Sequence, residues 1–218
     1  MKSEKEIYDL IERSKERVGE WKEILGLNLG IYYICLRKFD EARDWFSISL
    51  THMFSPRPFW KGGGEPNLLV DVWMMSNQNK LFDKVNKEIE GYQKSRTIIN
   101  PMGSYAFCIL GLSKSISTDF SPHINTLKKK PKYKDLYSIG NAIESILEMD
   151  EIGLQNSLYD LLKSHAGMAK HGALRESAEG LICLSAMSLG LAAQKRGLSL
   201  NIENEYFSMG YLNYLIGK

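Results

Sequence analysis

Three cysteines and four histidines are all that this chain of 218 residues offers to thiol or metal chemistry. Cys35, Cys108 and Cys183 are far apart and odd in number, which argues against a disulfide framework and fits a reducing compartment. Each lies in an apolar stretch, as unreactive core thiols do. A zinc site needs converging ligands, and the sequence has neither a Cys-x-x-Cys nor a His-x-x-x-His pair. We therefore expect no metal, no cofactor, and histidines that are solvated or lie at helix ends.

An excess of charge and long apolar runs are also missing. The net charge is +2, from 28 basic and 26 acidic groups, whereas a nucleic-acid binder is normally much more basic. The one basic run, residues 128–134, is interpreted as a solvated loop between helices. The longest uncharged stretches, 98–113 and 180–194, fall short of the ~20 apolar residues that a membrane helix needs. These absences predict a cytoplasmic protein without a nucleic-acid or membrane partner.

Residues that favour strands are scarce, since valine and threonine occur four times each. Apolar residues recur instead at helical spacing, in stretches separated by turns near residues 40, 77, 119 and 150. This spacing is close to the period of tetratricopeptide hairpins, about 34 residues, but without a strict consensus. We predict one all-α domain over 1–218: an irregular stack of helical hairpins, either a tetratricopeptide-like α-solenoid or a bundle, with a short extended C-terminal segment.

Several helix ends can be predicted. Ser3 and Glu6 have the spacing of a capping box, so the first helix should begin there. Asp40 is predicted to cap the third helix. Residues 174–195 are predicted to form the last and longest helix, and Gly197 lies where a glycine commonly ends a helix.

Beyond that glycine, apolar and polar residues alternate over 198–203, which predicts an extended segment laid against the bundle. Glu176 and Glu179 are three apart on the predicted long helix, and we interpret them as part of its solvated face. Paired carboxylates alone are too common to indicate acid–base catalysis.

The most distinctive loop covers residues 54–62, in which prolines stiffen a segment rich in aromatic residues and glycines follow. Aromatic and arginine side chains are common anchors of protein interfaces. We therefore predict partner-binding residues Arg57, Phe59, Trp60 and Lys61. The alternative, equally compatible with the sequence, is that Phe59 and Trp60 fold back over the core.

Two C-terminal stretches carry a resemblance. Residues 143–165 read as a helix, an acidic turn and a helix that ends in His165. Residues 179–215 contain a helix rich in small residues, an Arg-Gly step at Gly197 into an extended tail, and the late Tyr206. Together they resemble the immunity protein 49 family of bacterial polymorphic-toxin systems. Its members are all-α proteins encoded beside a toxin, and the resemblance implies neutralisation of that toxin by direct binding, with no catalytic residues to carry over.

The sequence thus favours a non-enzymatic immunity protein whose partner is a cognate toxin. One alternative is a tetratricopeptide-like adaptor or secretion chaperone that binds a helix or an extended peptide of a partner. Another is an enzyme with a helical fold, for instance a nucleotide hydrolase. That enzyme would need carboxylates that face each other across helices and a bound metal.

Overall fold

The computed structural model describes residues 2–16, 22–54, 65–95, 100–114, 116, 118–130 and 133–218. In these ranges the regular secondary structure is helical, and the sole β-type pairing is an isolated bridge between Asn204 and Phe207. The prediction of an all-α stack is therefore confirmed. The α-helices are α1 (Glu4–Glu16), α2 (Lys22–Cys35), α3 (Phe39–Met53), α4 (Pro66–Ser76), α5 (Phe82–Lys94), α6 (Pro101–Ser113), α7 (Ser121–Lys128), α8 (Lys134–Glu148), α9 (Glu151–His171), α10 (Leu184–Lys195) and α11 (Met209–Ile216).

The first helix starts as the capping-box pattern predicts. The backbone N–H of Ser3 donates to Glu6 Oε2 at 2.7 Å, and the Glu6 N–H donates to Ser3 Oγ at 3.3 Å. The predicted cap at Asp40 is wrong, because the cap position lies two residues earlier, at Lys38, and α3 begins at Phe39 with no side-chain cap. Asp40 instead lies in the first turn, where its negative charge interacts favourably with the helix dipole and stabilises the helix.

The α2–α3 pair is tight because α2 carries glycines on the face that meets α3. A β-carbon at Gly26 would lie 2.8 Å from the backbone nitrogen of Ser49 and 2.9 Å from the carbonyl oxygen of Trp45. One turn on, Gly30 lies equally close to the ring of Phe46. Larger side chains at these positions would hold the two helices apart.

Most residues of helix α4 are buried, and its C-terminal end is hydrogen-bonded to the C-terminal helix α11. Asn77 terminates α4 in the left-handed region, at φ 52°, and its amide donates to the carbonyl of Leu215 at 3.2 Å. The hydroxyl of Tyr211 donates to the Met75 carbonyl at 2.6 Å. Both bonds satisfy polar groups that α4 and α11 would otherwise leave without partners at their ends.

The α8–α9 hairpin turns at residues 149–150, as predicted. The Asp150 side chain accepts from the backbone N–H of Gly153 at 3.0 Å and caps α9. Met149 ends α8 with its backbone in the left-handed region, at φ 58°. Its side chain is exposed. The basic run before this hairpin is not wholly a solvated loop, since Lys128 ends α7 and pairs with Glu144 of α8 at 2.6 Å.

The predicted single helix over 174–195 is wrong. Only Leu184–Lys195 is α-helical, and the preceding residues form turns and a short 3-10 segment, Ala178–Gly180. The backbone at Gly180 passes so close to residue 174 that a β-carbon there would collide with the carbonyl oxygen of Leu174. A helix cannot make this contact, because it separates residues six apart by about 9 Å along its axis. Within the described ranges the longest helix is α9, with 21 residues.

The end of α10 follows the prediction. Gly197 has φ 94°, and the N–H of Leu198 reaches the carbonyl of Ala193 at 3.1 Å, which is a Schellman closure. Leu198 and Ile202 are buried while Ser199 is exposed, so the extended segment does lie against the bundle. Among the helices of the described ranges, none combines the length and the apolar character required to cross a membrane.

Candidate functional site

A cavity of about 210 Å³ lies where α4, α8, α9 and the start of α10 meet the irregular segment 172–183. Leucine, isoleucine and methionine make up half of its lining residues. Its polar lining comes from five elements of the fold, so the fold alone brings these groups together. The polar lining residues are Asn67 and Asp71 of α4, Asp135 of α8, His165 of α9, Glu179 of the 3-10 segment, and Ser185 of α10.

Asp71 is the most perturbed of these groups. It sits in the middle of a buried apolar helix and is only 3% exposed. Its carboxylate accepts hydrogen bonds from the hydroxyl of Tyr105 and, at 3.0 Å, from Ser185 Oγ. Burial raises the pKa of Asp71 to about 6, an effect that the nearby hydroxyls oppose and that the charge of Glu179 strengthens. The carboxyl group can therefore gain or lose a proton near neutral pH.

Tyr105 remains a hydrogen-bond donor to this carboxylate at any ordinary pH. Burial and then the charge of Asp71 raise the pKa of the Tyr105 hydroxyl well above its usual value. Burial likewise raises the pKa of Glu179. The carboxyl groups of Asp71 and Glu179 are therefore both harder to ionise than in water. Perturbed carboxyl groups that share a cavity make it a candidate functional site.

His165 is 4% exposed, and its ring meets the ring of Tyr206 edge-on at 5.1 Å. The expectation of solvated or helix-end histidines is therefore wrong for this residue. Burial lowers the pKa of His165, and a hydrogen bond with the Gly180 backbone opposes that effect only in part, so the ring is neutral at pH 7. Its Nε2 has no hydrogen-bond partner among the described residues, and neither does the buried Oδ1 of Asn67.

Cys183 also lines the cavity, but it is not a candidate nucleophile. Burial raises the pKa of its thiol to about 12, so the thiolate that would attack a substrate is scarcely populated. Burial raises the thiol pKa of Cys108 to about 12 and that of Cys35 to about 11. The described part of the chain holds no group of three His, Cys, Asp or Glu side chains placed to share a metal ion.

The cavity and the sequence-predicted site do not coincide. Arg57, Phe59, Trp60 and Lys61 lie outside the described residues, so their role stays a prediction. Glu179 was expected on the solvated face of a long helix, but it lines the cavity from a 3-10 turn.

Asp71 was missed by the sequence reasoning. The signal that could have revealed it is an acid within the apolar run Leu-Leu-Val-Asp-Val-Trp-Met-Met at residues 68–75. A buried charge is rarely retained without a partner or a role.

No family model, curated protein or solved structure matches this chain. The candidate site is therefore defined by its own chemistry: a small cavity with an apolar wall, three carboxyl groups and two unpartnered polar atoms.

Proposed function

We propose that this protein is a bacterial immunity protein that acts in the cytoplasm, binds a cognate toxin directly and neutralises it without performing a reaction. The proposal starts from the resemblance of residues 143–165 and 179–215 to the immunity protein 49 family. A stack of helical hairpins suits this role, because its exposed side chains can vary to match a partner without disturbing the core.

The observation that carries the proposal is that the two resembling stretches form one packed unit. His165, which ends the first stretch, contacts the ring of Tyr206 in the second. The N–H of Ser199 donates to the Glu151 carboxylate at 2.7 Å, which joins the extended tail to the start of α9. Motifs that are distant in sequence and adjacent in space are more informative than the same motifs scattered over a fold.

This unit also carries apolar side chains on its surface. Ile152 is 74% exposed, and Tyr159, seven residues further along α9, lies on the same helix face and is also exposed. Met149 adds a third exposed apolar side chain at the hairpin turn. Aromatic, methionine and aliphatic side chains grouped on a surface are the usual anchors of a protein interface. We therefore add these three residues to the candidate toxin contacts.

The direct test is co-expression with the toxin encoded by the neighbouring gene. The wild-type protein should protect the cells, and Ile152→Asp should reduce protection while its melting temperature stays within a few degrees of the wild type. Ile48→Asp is the matched control, because Ile48 is 40% exposed on α3, away from the α8–α9 hairpin. Continued killing despite abundant, folded wild-type protein would refute the proposal.

The aromatic segment 54–62 supplies a second test. Trp60→Ala should weaken toxin binding by more than about 2 kcal/mol with little change in stability, as an interface anchor does. A loss of about 3–5 kcal/mol in unfolding free energy would instead identify Trp60 as a core residue. Titration calorimetry with the toxin and urea unfolding together separate the two results.

The adaptor or secretion-chaperone alternative predicts binding of a partner without neutralisation. The same co-expression experiment, combined with a pull-down, distinguishes it: a captured partner that still kills would favour the adaptor.

A further inference from the structure

Two polar atoms in the wall of the cavity have no hydrogen-bond partner among the described residues: Asn67 Oδ1 and His165 Nε2. An amide oxygen is a hydrogen-bond acceptor. Nε2 of a neutral histidine is also an acceptor when the ring proton lies on Nδ1. The His165 side chain is only 4% exposed, so a ligand in the cavity is the available partner for this nitrogen.

The charge of the lining points the same way. Asp71, Asp135 and Glu179 line the cavity, and no lysine or arginine does so among the described residues. The carboxylate of Asp71 receives one bond at each oxygen, from Tyr105 and Ser185. Each carboxylate oxygen has two lone pairs, so both oxygens can still accept from a ligand.

The size and the remaining wall limit what the ligand can be. A dry cavity of about 150 Å³ holds a benzene molecule, so about 210 Å³ suits a somewhat larger group. Leu68, Ile139 and Leu161 offer apolar contact to a hydrocarbon stem. A short alkyl chain that ends in several N–H donors and a positive charge matches all of these features.

We propose that this cavity binds a protonated amino or guanidinium group carried on a short alkyl chain, with Glu179 and Asp135 as its charge partners and His165 and Asn67 as acceptors. Two sources supply this chemistry: a free small amine, or a lysine or arginine side chain of a bound protein. The site itself does not depend on the proposed immunity function; only the second source does.

The test measures the binding of two probes, agmatine and butylamine, to the full chain by titration calorimetry. The neutral and anionic counterparts, butanol and butyrate, serve as ligand controls. We expect millimolar or tighter binding of the two cations, no binding of the controls, and an affinity at least tenfold weaker in Glu179→Gln. Glu176→Gln is the matched control, because Glu176 is exposed three residues away and is not part of the lining; it should bind like the wild type.

The source of the cation is decided by competition. Displacement of the bound toxin by agmatine would support a side chain as the natural occupant, and simultaneous binding would support a free amine. If the chain fails to protect against a toxin, the proposed immunity function is refuted, and the calorimetry still decides whether the cavity binds a cation. The cavity proposal is overturned if neither cation binds the wild type at millimolar concentration, or if Glu179→Gln binds both as tightly as Glu176→Gln does.

Discussion

Replacing Asp71 with asparagine should change how the stability of this protein depends on pH. The asparagine side chain keeps the shape of aspartate and a carbonyl oxygen that can accept from Tyr105, and the Ser185 hydroxyl can rotate to meet the amide. What the substitution removes is the ionisation of a carboxyl group that is almost wholly buried.

The magnitude follows from the pKa of Asp71, which burial raises from an ordinary value of 3.8 to about 6. Between these values the folded protein holds a proton that the unfolded chain has already released. The contribution of Asp71 to stability therefore falls as pH rises through this window. Each pKa unit corresponds to about 1.4 kcal/mol, so the ionised carboxylate costs the folded state about 3 kcal/mol above pH 7. About 2 kcal/mol of that cost appears between pH 4.5 and pH 7.5.

Urea unfolding at these two pH values measures the effect. The unfolding free energy of Asp71→Asn, relative to the wild type, should increase by about 2 kcal/mol on going from the lower to the higher pH. Asp160→Asn is the control, since Asp160 is exposed on α9, and its curve should run parallel to the wild type. A parallel curve for Asp71→Asn as well would refute the claim that burial makes this carboxylate hard to ionise.

Two further predictions concern packing and hydrogen bonding, and urea unfolding measures both. Gly26→Ala should lower the unfolding free energy by about 1–3 kcal/mol, because the new β-carbon would collide with backbone atoms of α3. Gly167→Ala should raise the unfolding free energy by up to about 1 kcal/mol, because the space around Gly167 is open. Equal effects at the two glycines would contradict the close α2–α3 contact. Tyr211→Phe should lower the unfolding free energy by about 1–3 kcal/mol, because the Met75 carbonyl loses its donor. Tyr159→Phe, at an exposed position, should change it by less than about 0.5 kcal/mol. An unchanged unfolding free energy in Tyr211→Phe would show that the hydrogen bond contributes nothing to stability.

The sequence predicts those parts of the fold that depend on local chemistry. The capping box at Ser3, the acidic turn at Asp150 and the glycine closure at Gly197 each need only neighbouring residues, and each occurs where it was predicted. The predicted alternation of buried and exposed side chains over 198–203 is also observed, because an extended segment that packs on a surface buries every second side chain.

The sequence does not predict features that depend on distant contacts. Residues 174–183 have helix-compatible composition, but Gly180 lies against the backbone of residue 174, a contact that a helix does not allow. The cavity combines residues from positions 67 to 185, and no motif links them. Asp71 lies in a stretch whose pattern indicates only a buried helix, so its environment becomes visible once Tyr105 and Ser185 are placed beside it.

The bonds between α11 and the end of α4 have a consequence for the timing of folding in the cell. Tyr211 also packs against the ring of Phe39 at 5.6 Å, so residues near the beginning of the chain complete their contacts only after residue 211 has been translated. A chain truncated before residue 211 would lack the ring that packs on Phe39 and the hydroxyl that donates to the Met75 carbonyl. We expect such a chain to be cut by proteases faster than the full chain.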